Sequence, residues 1–103
     1  MSMGKRRYPK PYRTKEEIIE EYMEKFTRVR EFIEDGITML KNAEALLDNI
    51  LRTVWYERLL PLSLKNMISG HVKPLLMYID ASVRNAQEVA TKVEGIKQYI
   101  KAL

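Results

Sequence analysis

The side chains here that could do chemistry are few and mostly acidic. Across 103 residues there is one histidine and no cysteine, which excludes a thiolate nucleophile, a disulfide framework and a thiolate metal site. Any serine–histidine pairing would have to use His71, which stands beside Gly70 with Ile68 three residues before it. That neighbour removes the Glu-x-x-His spacing of carboxylate-bridged di-metal bundles, so His71 reads as a surface or helix-start residue. After Gly4 the glycines are Gly36, Gly70 and Gly95, too dispersed for a loop that cradles phosphate.

The densest acidic cluster is Glu16, Glu17, Glu20 and Glu21. Glu16, Glu17 and Glu20 form an EExxE that resembles half of the magnesium motif of all-α nucleotide pyrophosphohydrolases of the MazG type. The other half, ExxD on a later helix, has no counterpart, because Glu31/Asp35 and Glu44/Asp48 are both spaced ExxxD. The cluster also falls at a helix start, where the macrodipole favours acidic side chains. The chain is therefore read as non-enzymatic, with no cofactor and no metal.

The basic side chains are distributed more tellingly. Residues 1–13 hold Lys5, Arg6, Arg7, Lys10 and Arg13 and no acid, whereas the rest of the chain has 13 bases and 14 acids. The entire net charge of +4 thus belongs to the N-terminal segment. Pro9 and Pro11 disfavour helix there, which makes residues 1–13 an extended arm with Tyr8 and Tyr12 set among the cations. Cations that follow a phosphate backbone, with rings for base stacking, suit nucleic acid. The candidate nucleic-acid set is Lys5, Arg6, Arg7, Tyr8, Lys10, Tyr12 and Arg13. The competing readings of the arm are a protein-docking segment and a solvated tail.

The elements behind the arm are helical. Thr14 and Glu17 form a capping box that starts a helix. From Ile19 the apolar residues Ile19, Tyr22, Phe26, Val29, Ile33, Gly36, Leu40, Ala43, Leu47, Ile50 and Val54 alternate steps of three and four. These are positions a and d of a heptad, with Gly36 expected to mark a kink or a close helix contact. Ile18, Phe32, Met39 and Leu46 broaden the stripe at g, and Met23, Ile37 and Leu51 at e. A second run begins at Val72 and continues through Leu75, Ile79, Ser82, Ala86, Val89, Val93, Ile96, Ile100 and Leu103, broadened at e by Leu76, Val83 and Ala90. Pro61 ends the first helix. Ser63 is expected to cap a short connector helix over about 63–69, and Gly70 with Lys73-Pro74 to separate it from the second long helix. Trp55 is expected to close the core beneath the connector.

The fold expected is all-α, a long antiparallel helical hairpin with a short helical connector (helices about 15–57, 63–69 and 74–101) forming one domain over 14–103. Residues 14–57 carry 11 acids and 6 bases, and residues 58–103 carry 7 bases and 3 acids, so the two arms attract. Two helices cannot cover stripes this wide, and pairing two hairpins into a dimeric four-helix bundle would. Ile19, Phe26, Ile33, Leu40, Leu47, Val54, Leu75, Ile79, Val89 and Val93 are the expected oligomer interface. No apolar run reaches the roughly 18 residues of a membrane span, and no secretory signal is evident. The expected setting is cytoplasmic, or virion-associated for a viral protein, and the Lys- and Glu-rich, Gln-poor composition suggests a thermophilic source. The function these features imply is a self-associating bundle that binds nucleic acid without sequence preference. The alternative is a protein–protein adaptor that acts through its heptad faces.

Overall fold

The computed structural model describes residues 13–103. Thr14 caps the first helix as its spacing requires. Its hydroxyl accepts from the Glu17 amide at 3.1 Å, and the Glu17 carboxylate accepts from the Thr14 amide at 2.9 Å. Helix α1 then runs unbroken over Lys15–Thr53 and tightens into a single 3-10 turn, Val54–Tyr56. The Lys65 ammonium donates to the Trp55 carbonyl at 3.3 Å, placing a cation at the negative end of that helix.

Helix α2 spans Leu62–Lys101, and here the structure departs from expectation. No separate connector helix forms over 63–69, and the chain stays helical through Gly70, Lys73 and Pro74. Its N-cap is Pro61 rather than Ser63, and the Pro61 carbonyl accepts from the Leu64 and Lys65 amides, both at 3.1 Å. Packing explains the continuity. Ser69 and Val72 are buried, so a break between them and the rest of α2 would lift one part off α1. Gly70 and Pro74 are exposed, where water can reach the Gly70 carbonyl that a proline four residues later leaves without its helical donor.

The two helices lie antiparallel. Lys15 Nζ donates to the Leu103 carbonyl at 3.1 Å and Arg30 Nη1 pairs with Glu94 Oε1 at 2.6 Å, so residues whose numbers sum to about 120 lie level. The seam between them is not the predicted a/d stripe but the a/e stripe. On α1 the sheltered positions are Ile19, Met23, Phe26, Arg30, Ile33, Ile37 and their heptad successors; on α2 they are Val72, Leu76, Ile79, Val83, Ala86, Ala90 and Val93. Only Val54, Ser69, Val72, Val83 and Val93 are buried among the described residues, and Val54, 4% exposed, closes the end that Trp55, itself exposed, was expected to close. Gly36 makes no close helix contact, since a Cβ there would meet nothing within 4 Å, and α1 stays helical through it.

Replacing Pro74 tests the continuity of α2. A proline in a helix interior costs about 3 kcal/mol, partly offset by its stiffening of the unfolded chain. Pro74→Ala is therefore expected to stabilise the fold by about 2 kcal/mol, read from the urea midpoint. A broken helix at Lys73-Pro74 would leave the midpoint unchanged.

Candidate functional site

The a/e seam consumes only part of each helix's apolar surface. In a right-handed helix positions d and g lie roughly 110° to one side of the a/e centre, at 100° per residue. Because α2 runs opposite to α1, its d and g positions fall on the same side of the hairpin as those of α1. The two leftover stripes therefore merge into one face, while the opposite face carries b and f positions such as Glu20, Glu24, Glu31, Lys73 and Asp80. On α1 exposure follows this division, whereas on α2 Met77, at f, is also exposed. All six exposed large apolar residues within α1 are at d or g: Ile18, Tyr22, Val29, Phe32, Met39 and Leu46. On α2 the face continues through Leu75, Tyr78, Val89, Ile96 and Tyr99. Exposure reaches 67% for Phe32, 72% for Met39, 71% for Tyr78 and 79% for Tyr99.

At roughly 150–200 Å² for a fully exposed large apolar side chain, these exposures leave about 1,100 Å² on one face. A soluble monomer rarely shows an apolar patch above about 600 Å². Lys25, a cationic g position within the stripe, is drawn toward its rim. Its ammonium pairs with Glu21 at 2.9 Å and lies 5.2 Å from the centroid of the Tyr22 ring. That hydrogen bond holds the Lys25 pKa above 10.5.

Eight of the ten expected interface residues are committed elsewhere. Ile19, Phe26, Ile33, Leu40, Leu47, Val54, Ile79 and Val93 pack within the hairpin, and only Leu75 and Val89 stand on the open face. The expected interface left out the exposed residues at g (Ile18, Phe32, Met39, Leu46, Tyr78 and Tyr99) and, at d, Tyr22, Val29 and Ile96. Their apolar character was visible, but periodicity alone cannot tell which half of a wide stripe a partner helix takes.

Of the candidate nucleic-acid residues, Lys5, Arg6, Arg7, Tyr8, Lys10 and Tyr12 lie outside the described residues. Arg13 lies within them, and its guanidinium pairs with Glu21. Hydrogen bonds from Lys25, then Arg13, hold the Glu21 carboxyl below 4.5. The acidic cluster is thus partly neutralised and partly spent on the cap, and no group of three or more His, Asp or Glu side chains is placed to hold a metal ion among the described residues. His71 lies exposed within α2 rather than in a break between helices. Trp55, Tyr56, Leu59 and Leu62 leave a smaller apolar tip exposed at the connector. Among the described residues no helix is long and apolar enough to cross a membrane.

Comparison with known proteins adds no relative. No protein family, curated protein or solved structure matches this chain.

Glu94, which pairs across the helices with Arg30, contributes to the response to acid. Partial desolvation opposes ionisation of Glu94, but the hydrogen bond from Gln98 and the charges of Lys97 and Arg30 outweigh it and hold its pKa below 4.5. Glu21 is shifted the same way. A depressed carboxylate pKa contributes stability that is present above the unfolded value and lost as pH falls through the folded one. The melting temperature should accordingly fall once pH drops below about 4.5. Glu94→Gln should start less stable at neutral pH and lose less on acidification; an equal acid loss in both chains would remove Glu94 from this role.

Proposed function

We propose that this protein is a non-enzymatic helical-bundle protein that self-associates through its open apolar face and binds nucleic acid without sequence preference through its N-terminal arm. Architectural, packaging or coat-type roles suit this combination, including those in a virus or mobile element. The observation that carries the self-association is the set of exposed apolar side chains that both helices place on one side of the hairpin. Its area of about 1,100 Å² exceeds the roughly 800 Å² per partner of a standard stable interface.

The nucleic-acid half rests on the charge distribution. With Arg13 engaged by Glu21, Lys5, Arg6, Arg7 and Lys10 remain as the cations to meet phosphate. Helix α1 supports no competing surface for base reading, because it carries ten carboxylates against six bases and a recognition helix is basic. The same apolar face would also serve an adaptor that docks helices of another protein. That reading differs in predicting no appreciable nucleic-acid affinity at physiological salt.

Fluorescence anisotropy of a labelled DNA duplex across a salt series tests the proposal. Each neutralised phosphate contributes about 0.9 to the slope of log affinity against log salt, so four cations predict a slope near −3.5 per arm. A chain that starts at Arg13 should lose this binding. A slope near zero, or affinity retained without residues 1–12, would overturn the nucleic-acid reading.

A further inference from the structure

The short segment that joins the 3-10 turn to α2, residues 57–61, breaks the usual chemistry of such turns. Connections between helices draw on Gly, Asn, Asp and Ser, whose side chains suit both the bent backbone and water. The run Trp55-Tyr56-Glu57-Arg58-Leu59-Leu60-Pro61-Leu62 contains none of them. Leu59 is 97% exposed and Tyr56 83%, and Trp55 and Leu62 are open to solvent as well. At roughly 150–200 Å² for a fully exposed large apolar side chain, these four leave about 500 Å² bare. A patch of that size is often a functional contact.

The open d/g face does not account for it. That face runs along the sides of the two helices, and a second copy laid on it leaves the end of each hairpin uncovered. Whatever meets the connector meets it end-on.

Charge narrows the choice. From the level of Leu47 and Lys73 to the connector, the hairpin holds Arg52, Arg58, Lys65 and Lys73 against Asp48 and Glu57, a net of +2. The other described residues hold ten bases and twelve acids, a net of −2. The connector is therefore the basic pole of the described molecule. Asp48 is matched by Arg52 at 3.1 Å, which leaves Arg58, Lys65 and Lys73 against Glu57 alone. The Lys65 ammonium is held at the Trp55 carbonyl, 3.3 Å away, just behind the apolar apex. Two such tips would repel each other, so a second copy is not the occupant. A protein partner would have to offer a socket shaped to this convex end. A lipid surface needs no socket, and it accepts Trp, Tyr and Leu backed by Arg and Lys. Within the turn the Glu57 amide donates to the Val54 carbonyl and the Leu60 amide to the Glu57 carbonyl. Pro61 has no amide hydrogen, so these three positions bring no bare donor to the lipid.

We propose that the connector is a lipid-contact tip, with Trp55, Tyr56, Leu59 and Leu62 entering the head-group region of an anionic membrane and Arg58 and Lys65 meeting its phosphates and carboxylates. The contact is peripheral, since no described helix is long and apolar enough to cross a membrane. It stands apart from the self-association and nucleic-acid readings and survives the failure of either.

Trp55 is the sole tryptophan, so the fluorescence of the full chain reports the tip directly. The probes are phosphatidylcholine vesicles with and without phosphatidylserine, and the same vesicles carrying lipid brominated near the head group. With phosphatidylserine present, Trp55 emission should shift to the blue and be quenched by the brominated lipid. Each cation at an anionic surface favours binding roughly fivefold, so phosphatidylcholine alone should bind at least about tenfold more weakly. Leu59→Ser, at a position too exposed to disturb folding, should weaken binding about tenfold. Vesicle binding without an emission shift, which cations elsewhere in the chain could produce, would overturn the proposal. An undiminished response in Leu59→Ser would do the same. So would a response that appears instead at position 32 in the double variant Trp55→Phe, Phe32→Trp, because the open face would then be lying on the lipid. No response to any vesicle also overturns it and points the tip toward a protein partner.

Discussion

A two-helix hairpin owns one internal interface, and everything else in this molecule follows from how much apolar surface lies beyond it. Helix α1 is patterned at four of its seven heptad positions and α2 at three, with Tyr78 and Tyr99 added at g, whereas a single neighbour covers about two. The a/e half closes the hairpin; the d/g half stays open on the same side of both helices. With only Val54, Val72, Val83 and Val93 buried as apolar side chains among the described residues, the chain alone has a core thin even for its length. Burial of the second face is what would bring it to the density of an ordinary domain.

Electrostatics works as a selector in this scheme rather than as the source of stability. The ion pairs are mostly exposed and within one helix, as in Arg52 with Asp48 and Arg84 with Asp80, and such pairs contribute a few tenths of a kcal/mol each. The acidic α1 and basic α2 nonetheless favour antiparallel hairpin closure. Lys25 illustrates the division of labour. Its charge is held at the rim by Glu21 while its stem lies along the stripe, so a cation sits in an apolar position without closing it to a partner.

Much of this was legible in the sequence because it is local. Thr14 and Glu17 announce the helix start through side-chain chemistry that needs no tertiary context, and Pro61 fixes the end of the turn. The all-α hairpin follows from the alternating three- and four-residue steps. What the sequence left open was decided by packing. Gly70 and Pro74 read as a break, yet Ser69 and Val72 are buried and the half-buried Leu76 and Ile79 follow on the same stripe, which keeps α2 whole. Likewise, a stripe spanning a, d, e and g does not say which half meets the intrachain partner. The a/e assignment, and with it the identity of the open face, needed the three-dimensional arrangement. The arm's chemistry is legible only as composition, since six of its seven candidate residues precede the described ones.

The claim on which the rest depends is that the fold is completed by a second chain, and the melting temperature as a function of protein concentration tests it most directly. A dimer that dissociates as it unfolds is stabilised by mass action, and at about 0.7 kcal/mol of unfolding enthalpy per residue its melting temperature should rise about 3–4 °C for each tenfold increase in concentration. A melting temperature independent of concentration across that range would contradict the claim and show that the hairpin stands by itself with its apolar face uncovered.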